Sequence, residues 1–303
     1  MVSPVGPNPC ICFILPYLEA IPAASINRVG CIILILKFQV RMYKNIVTQT
    51  LRKPLFKTRG LSLDVLRLDK IHRHISGNKW YKLKYHTTEA LRQGKTGIVT
   101  FGGAYSNHLV ATAVACKEQH LKSVGIVRGE QTFPENNSII QMKEAGMELI
   151  YVNREEYKNK EQLITPFIEK NNEYYYVPEG GQSDLGVKGA GEILSEASDT
   201  YTHIICAVGT GTTLAGIINA SGDGQTVIGT CALKIQDQND NEIDRFITSI
   251  TTKRNWSIDY DHHFGGYAKK TTELIAFMNS VYEEENIPTD FVYTAKMFYA
   301  VYD

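Results

Sequence analysis

The chain has 303 residues with 32 basic and 32 acidic side chains and a near-neutral pI, so its charge calls for neither nucleic acid nor a membrane surface as partner. A hydrophobic fraction of 43% and a charged fraction of 21% are those of a globular protein long enough for one large or two ordinary domains. Six cysteines form no Cys-x-x-Cys pair: Cys10, Cys12 and Cys31 lie near the start, and Cys116, Cys206 and Cys231 are isolated among apolar or small residues. That usage excludes a disulfide framework, argues against a metal site and fits reduced thiols in the cytoplasm.

Residues 1–41 are interrupted by Pro4, Pro7, Pro9, Pro16 and Pro22, and the first ten carry no positive side chain of the kind a secretory signal needs. Their apolar run from Cys31 to Leu36 is too short to span a bilayer. They are expected to lie outside the fold, with Met42 as the true start, and a weak targeting segment is the second reading. The alternation from Leu61 to Leu68 predicts a half-buried strand. It leads to the polar turn Ser76-Gly77-Asn78, which runs into Lys79 and a helical segment that stops at Gly94. The positive end of a helix dipole disfavours a charged lysine, and a neutral lysine is a nucleophile toward aldehydes. On its own, a solvated basic face with Lys82 and Lys84 is the stronger reading.

Gly97 to Phe101 reads as a buried parallel strand. Gly102-Gly103-Ala104-Tyr105-Ser106-Asn107-His108 then opens an alanine-rich helix, where Ser106 and Asn107 serve equally well as N-cap or as ligand contacts. Strands at Ser123 to Val127, Glu148 to Val152 and Tyr174 to Val177 alternate with helices at Ser138 to Ala145 and Gln162 to Lys170. That is the pattern of a parallel sheet with helices on both faces. Pro178 to Gly191 reads as a long glycine-rich loop and a natural crossing between two domains.

The buried strand Thr202 to Val208 feeds Gly209-Thr210-Gly211-Thr212-Thr213, which opens a helix. Backbone N–H groups and hydroxyls converge there as a phosphate cup. No lysine follows as in a nucleotide loop, and Gly209, Gly211 and Gly216 miss the dinucleotide spacing by two positions, which favours a phosphate carried by something other than ATP or NAD over a merely tight turn. A nicotinamide-dependent oxidoreductase is the rival use of this turn, but Cys231-Ala232-Leu233 after the next strand supplies no ribose-binding acid. Further on come a strand at Thr226 to Ala232 and helices at Asn241 to Ile250, Thr271 to Glu284 and from Thr294 to the end. Tyr267 and Tyr293 follow turns and otherwise read as packing tyrosines.

A candidate amine, a Ser-Asn pair at a helix start and a phosphate cup without nucleotide features are the three kinds of group that pyridoxal phosphate needs. Ser76-Gly-Asn-Lys-Trp-Tyr-Lys-Leu-Lys-Tyr85, Phe101 to His108, Val208 to Thr213, Phe264-Gly-Gly-Tyr267 and Val292-Tyr-Thr-Ala-Lys296 together resemble the 1-aminocyclopropane-1-carboxylate deaminase/D-cysteine desulfhydrase family. They run from about Lys53 to the end in the family's order. The resemblance implies the fold type II of pyridoxal phosphate enzymes: an α/β fold with two open, twisted, mostly parallel sheets and helices on both faces. Residues 42–81 with 191–303 would form a large cofactor-binding domain, and 82–190 a small one. It implies that Lys79 carries pyridoxal 5'-phosphate and moves the substrate's α-proton, and that Asn107 holds the ring oxygen. Gly209, Thr210, Gly211, Thr212 and Thr213 would hold the phosphate. Ser106 would face the substrate carboxylate or act in proton transfer, Tyr267 and Tyr293 would flank the substrate, and Thr294 would face the pyridine nitrogen.

The deaminases resemble one another in a glutamate at the place of Thr294. A neutral threonine suits the easier α,β-elimination, so the expected reaction is D-cysteine to pyruvate, sulfide and ammonia by a cytoplasmic homodimer, with 1-aminocyclopropane-1-carboxylate deamination as the alternative. The family continues past the region matching Tyr302-Asp303 with one more strand. A truncated, inactive member that at most binds the cofactor is therefore the rival from another class.

Overall fold

The computed structural model describes residues 46–303 apart from Arg73, Ser76, 198–200 and Asn239. The expectations for residues 1–41, the three cysteines within them and the Ser76 position fall outside the described residues. Among the described residues, two parallel sheets and a small antiparallel pair make up the strands. β1 (Thr48–Thr50) pairs antiparallel with β2 (Asp64–Leu66), so the predicted strand from Leu61 is present but only three residues long. Between them lies the short helix α1 (Pro54–Thr58).

α2 (Lys79–Arg92) is followed by Gly94 in the left-handed conformation, as the glycine stop predicts. The first parallel sheet contains β3 (Gly97–Gly103), β4 (Lys122–Arg128), β5 (Met147–Val152) and β6 (Tyr174–Val177) in the order β5-β4-β3-β6. Its crossover helices are α3 (Asn107–Glu118), α4 (Asn137–Glu144), and α5 (Arg154–Lys158) with α6 (Lys160–Lys170). Every residue of β3 is buried, as a central strand covered on both faces requires. The second sheet contains β7 (His203–Val208), β8 (Thr226–Cys231) and β9 (Trp256–Asp259) in sequence order, with α8 (Thr212–Ala220) and α9 (Glu242–Ile250) as connections. α10 (Thr272–Glu285) and α11 (Thr294–Tyr302) complete the chain and pack with Leu51 and Phe56 into a separate apolar cluster.

Two expectations need correction. The stretch from Pro178 to Gly191 is not one loop, because Asp184–Gly191 is a helix, α7. Its glycines misled the reading: they bring the helix close to its neighbours and do not break it. The face of α2 assigned to solvent is also buried. Trp80, Tyr81 and Leu83 have no exposed surface, and Lys82 and Lys84 are buried beside them. The burial of Trp80 and Leu83 alone contributes about 2 kcal/mol each. Lys84 is held there by an ion pair to Glu192, which also accepts from the Tyr85 hydroxyl.

Candidate active site

Open parallel sheets bind ligands outside the carboxyl ends of their strands; Ser106 and Asn107 follow the end of β3, and Gly209 to Thr213 follow that of β7. All of the predicted site residues, from Lys79 to Thr294, line one cleft. Lys79 is the first residue of α2. Asn78 stands at the N-cap position but makes no capping bond. Its side chain instead accepts from Lys79 Nζ at 2.5 Å and donates to Thr213 Oγ1 at 2.6 Å, which joins the amine to the cup. Burial pushes the Lys79 ammonium down to about 8, with the charge of Asp290 opposing the shift. A substantial fraction of the amine is therefore neutral near physiological pH.

The cup lies between β7 and α8. Gly211 adopts a left-handed conformation with φ +83° at the helix start, and no side chain caps the amides of the first turn. Thr212 and Thr213 are buried there, and the Thr210 and Thr212 hydroxyls are 2.9 Å apart. Gln182 Nε2 donates to the Thr210 carbonyl at 3.0 Å and ties the cup to the turn after β6. Lys82 is 5% exposed and lines the same cleft, with no hydrogen-bond or ion-pair partner among the described residues. Burial lowers its pKa well below the usual lysine value, and the neighbouring Lys79 charge lowers it further.

Ser106 caps α3 by accepting from the Leu109 amide at 3.2 Å, which leaves its hydroxyl proton available. Asn107 begins the helix and is exposed to the cleft. The rings of Tyr267 and Tyr293 meet edge to face at 6.2 Å, and Lys79 Nζ lies 5.7 Å from the centre of the Tyr293 ring. Burial raises both phenols, Tyr267 to about 12, so both hydroxyls keep their protons at neutral pH. Thr294 is the first residue of α11; its hydroxyl donates to Asp290 Oδ2 at 2.7 Å and accepts from the Asp290 amide at 2.8 Å. The other Asp290 oxygen accepts from the amides of Val292 and Tyr293.

Sequence reasoning passed over Asn78, Asp290 and Lys296 as functional groups. Asp290 was visible only as an acid in the turn four residues before a helix start. Lys296 was only part of a matching stretch. It is fully buried and donates to the Gly266 carbonyl at 2.7 Å and the Ala232 carbonyl at 3.2 Å, thereby anchoring the turn that presents Tyr267.

Comparison with known proteins identifies the family. The family model described as pyridoxal-phosphate dependent enzyme matches residues 48–303. A Pyrococcus horikoshii protein provisionally named as a 1-aminocyclopropane-1-carboxylate deaminase is 27% identical over 260 residues, 80% of this chain and 79% of its own. The mitochondrial bifunctional D-cysteine desulfhydrase/1-aminocyclopropane-1-carboxylate deaminase of Arabidopsis thaliana is 26% identical over 269 residues, 80% of this chain and 67% of its own. A crystal structure of an ACC deaminase homologue is 25% identical, covers 88% of both chains and superposes with a TM-score of 0.75.

Proposed function

The chain belongs to the family of pyridoxal-phosphate-dependent enzymes, and from that premise we propose that it cleaves D-cysteine to pyruvate, sulfide and ammonia. Its residues fit the cofactor. The uncapped start of α8 and the unpartnered Lys82 lack the anion that a phosphate provides, and the amine joined to them through Asn78 is the aldehyde's partner. When bound, pyridoxal phosphate supplies an aldehyde for amine attachment and a ring that takes up the electron pair left when the substrate's α-proton departs.

Lys79 carries the cofactor and moves that proton. The first turn of α8 with Gly209, Thr210, Gly211, Thr212 and Thr213 holds the phosphate, and Asn107 holds the ring oxygen. Ser106 turns its free hydroxyl proton toward the substrate carboxylate, while Tyr267 and Tyr293 flank the substrate and exclude water.

Thr294 is the observation that carries the choice of reaction. With its own proton committed to Asp290, its hydroxyl offers the ring nitrogen a neutral lone pair and not a carboxylate. A neutral partner stabilises a protonated nitrogen weakly, which favours a substrate whose thiol leaves readily from the β-carbon. The second reading, deamination of 1-aminocyclopropane-1-carboxylate, is favoured by the Asp290 carboxylate standing one hydroxyl behind Thr294. Assay of the purified protein on both compounds separates the two readings. We expect sulfide from D-cysteine, with little 2-oxobutyrate from the cyclopropane substrate; a protein that binds the cofactor and leaves D-cysteine untouched overturns the assignment.

The depressed lysine predicts how the site loads. Attachment of the cofactor's aldehyde would need the neutral form of Lys79, and the fraction of that form grows as pH rises through about 8. The rate at which cofactor-free protein takes up pyridoxal phosphate, followed by absorbance from pH 6 to 10, should therefore rise to a plateau with a midpoint near 8. A midpoint close to the ordinary lysine value, about 10.4, would contradict the buried environment.

A further inference from the structure

Arg128 closes β4 and is the register partner of Gly103, the last residue of β3, so it stands beside the segment that leads to Ser106 and Asn107. Its guanidinium carbon lies 5.5 Å from the centre of the Tyr267 ring and 5.6 Å from that of Tyr157. The Tyr267 hydroxyl itself turns toward Gly103, where a Cβ would be 3.3 Å away. Two aromatic rings thus orient a planar cation at the rim of the cleft. Among the described residues nothing accepts a hydrogen bond from this guanidinium, and it has no ion pair. Nearby Glu179 is engaged by Lys160 at 3.0 Å. The Tyr293 ring lies near the amine of Lys79 and against the Tyr267 ring, and Arg128 lies against the Tyr267 ring in turn; all four groups line the same cleft.

We propose that Arg128 is a specificity-determining residue that receives an anionic group on the substrate's β-carbon, so that the enzyme also eliminates sulfate from O-sulfoserine. The proposal rests on the elimination chemistry described above and extends it to a charged leaving group. An oriented guanidinium with free donors matches a tetrahedral oxyanion in two-point contact. It lines the same cleft as Lys79 and lies against the ring of Tyr267. In the reaction the α-proton is removed and the Cβ–O bond breaks, with its electron pair leaving on sulfate. Addition of water and release of nitrogen then give pyruvate, ammonium, sulfate and a proton from O-sulfoserine and water, with no external oxidant or reductant.

The test compares O-sulfoserine with β-chloroalanine, whose leaving group takes no oriented donor, on wild type, Arg128→Gln and Arg128→Lys, with both enantiomers of each. Arg128→Gln should lower kcat/KM for O-sulfoserine ~30-fold, mainly through KM, and leave β-chloroalanine within about twofold; Arg128→Lys should recover part of the loss. In the non-reacting Lys79→Ala background, calorimetry should show the same ~30-fold rise in Kd for O-sulfoserine and none for serine. Equal losses on both substrates would make Arg128 a receptor for the shared α-carboxylate and overturn the proposal. So would an unchanged preference, which leaves the elimination chemistry standing. If wild type turns over neither compound, the underlying reading falls with it.

Discussion

Lys79→Ala is expected to reduce sulfide release by ~10^4-fold or more while the protein still folds and still binds the cofactor's phosphate. Among the described residues, the variant removes the amine that is joined to the cup through Asn78 and Thr213. It leaves the uncapped α8 start, Gly211 and the threonine hydroxyls in place. Nor does it disturb the core, because Trp80 and Leu83, not the lysine stem, anchor the first turns of α2. Borohydride should therefore fix the cofactor to Lys79 in wild type and to nothing in the variant, as peptide mass analysis reads out. Lys82 is the control built into the fold. It is a second buried amine three residues on, and its lowered pKa makes it chemically competent as a nucleophile. Cofactor trapped on Lys82, or a variant retaining more than about one hundredth of the activity, would move the covalent role away from Lys79.

Much of this arrangement was legible in the sequence because local rules carried it. Gly94 and Gly146 end helices in the conformation that only glycine adopts cheaply, and the strand–helix alternation between Gly97 and Val177 follows from apolar runs of strand length. Ser106 caps α3 as its position predicts. What escaped is decided between segments. β1 pairs over only three residues, too few to register as a pattern, and Trp256–Asp259 gains its strand from pairing with β8. Lys82 and Lys84 look solvated in any window of sequence; their burial depends on α7 lying across α2, with Glu192 at its end to receive Lys84. Arg128 is an ordinary strand-end arginine until Tyr157 and Tyr267, distant in sequence, close on both sides of it. The Asn78 side chain is the instructive case. Its place before a helix suggests a cap, yet the cap bond is absent and the side chain serves the site.

Gly189→Ala should lower the melting temperature by roughly 10 °C and weaken cofactor binding as well, because α7 sets the spacing of the whole site. A Cβ on Gly189 would lie 1.9 Å from the Tyr81 carbonyl oxygen of α2. On the opposite side, a Cβ on Gly216 of α8 would lie 2.5 Å from the Val187 carbonyl oxygen of α7. α7 is therefore wedged between the helix that begins with Lys79 and the helix that begins with the phosphate cup. The atoms the new methyl meets are backbone, so no rotamer change relieves the overlap; the helices must separate. Overpacking of this kind costs about 1–3 kcal/mol, and at the upper end about 2–4 °C is lost per kcal/mol in a chain of this size. Separation of α2 from α8 also stretches the bridge from Lys79 through Asn78 to Thr213, whose bonds of 2.5 and 2.6 Å leave no slack. The Kd for pyridoxal phosphate should rise in step. Gly224→Ala is the matched control, since a Cβ there meets nothing within 4 Å, and its melting temperature and cofactor affinity should stay at the wild-type values. A Gly189→Ala protein that melts with wild type, or melts lower yet binds the cofactor unchanged, would separate fold stability from site geometry and refute the role of α7 as their common spacer.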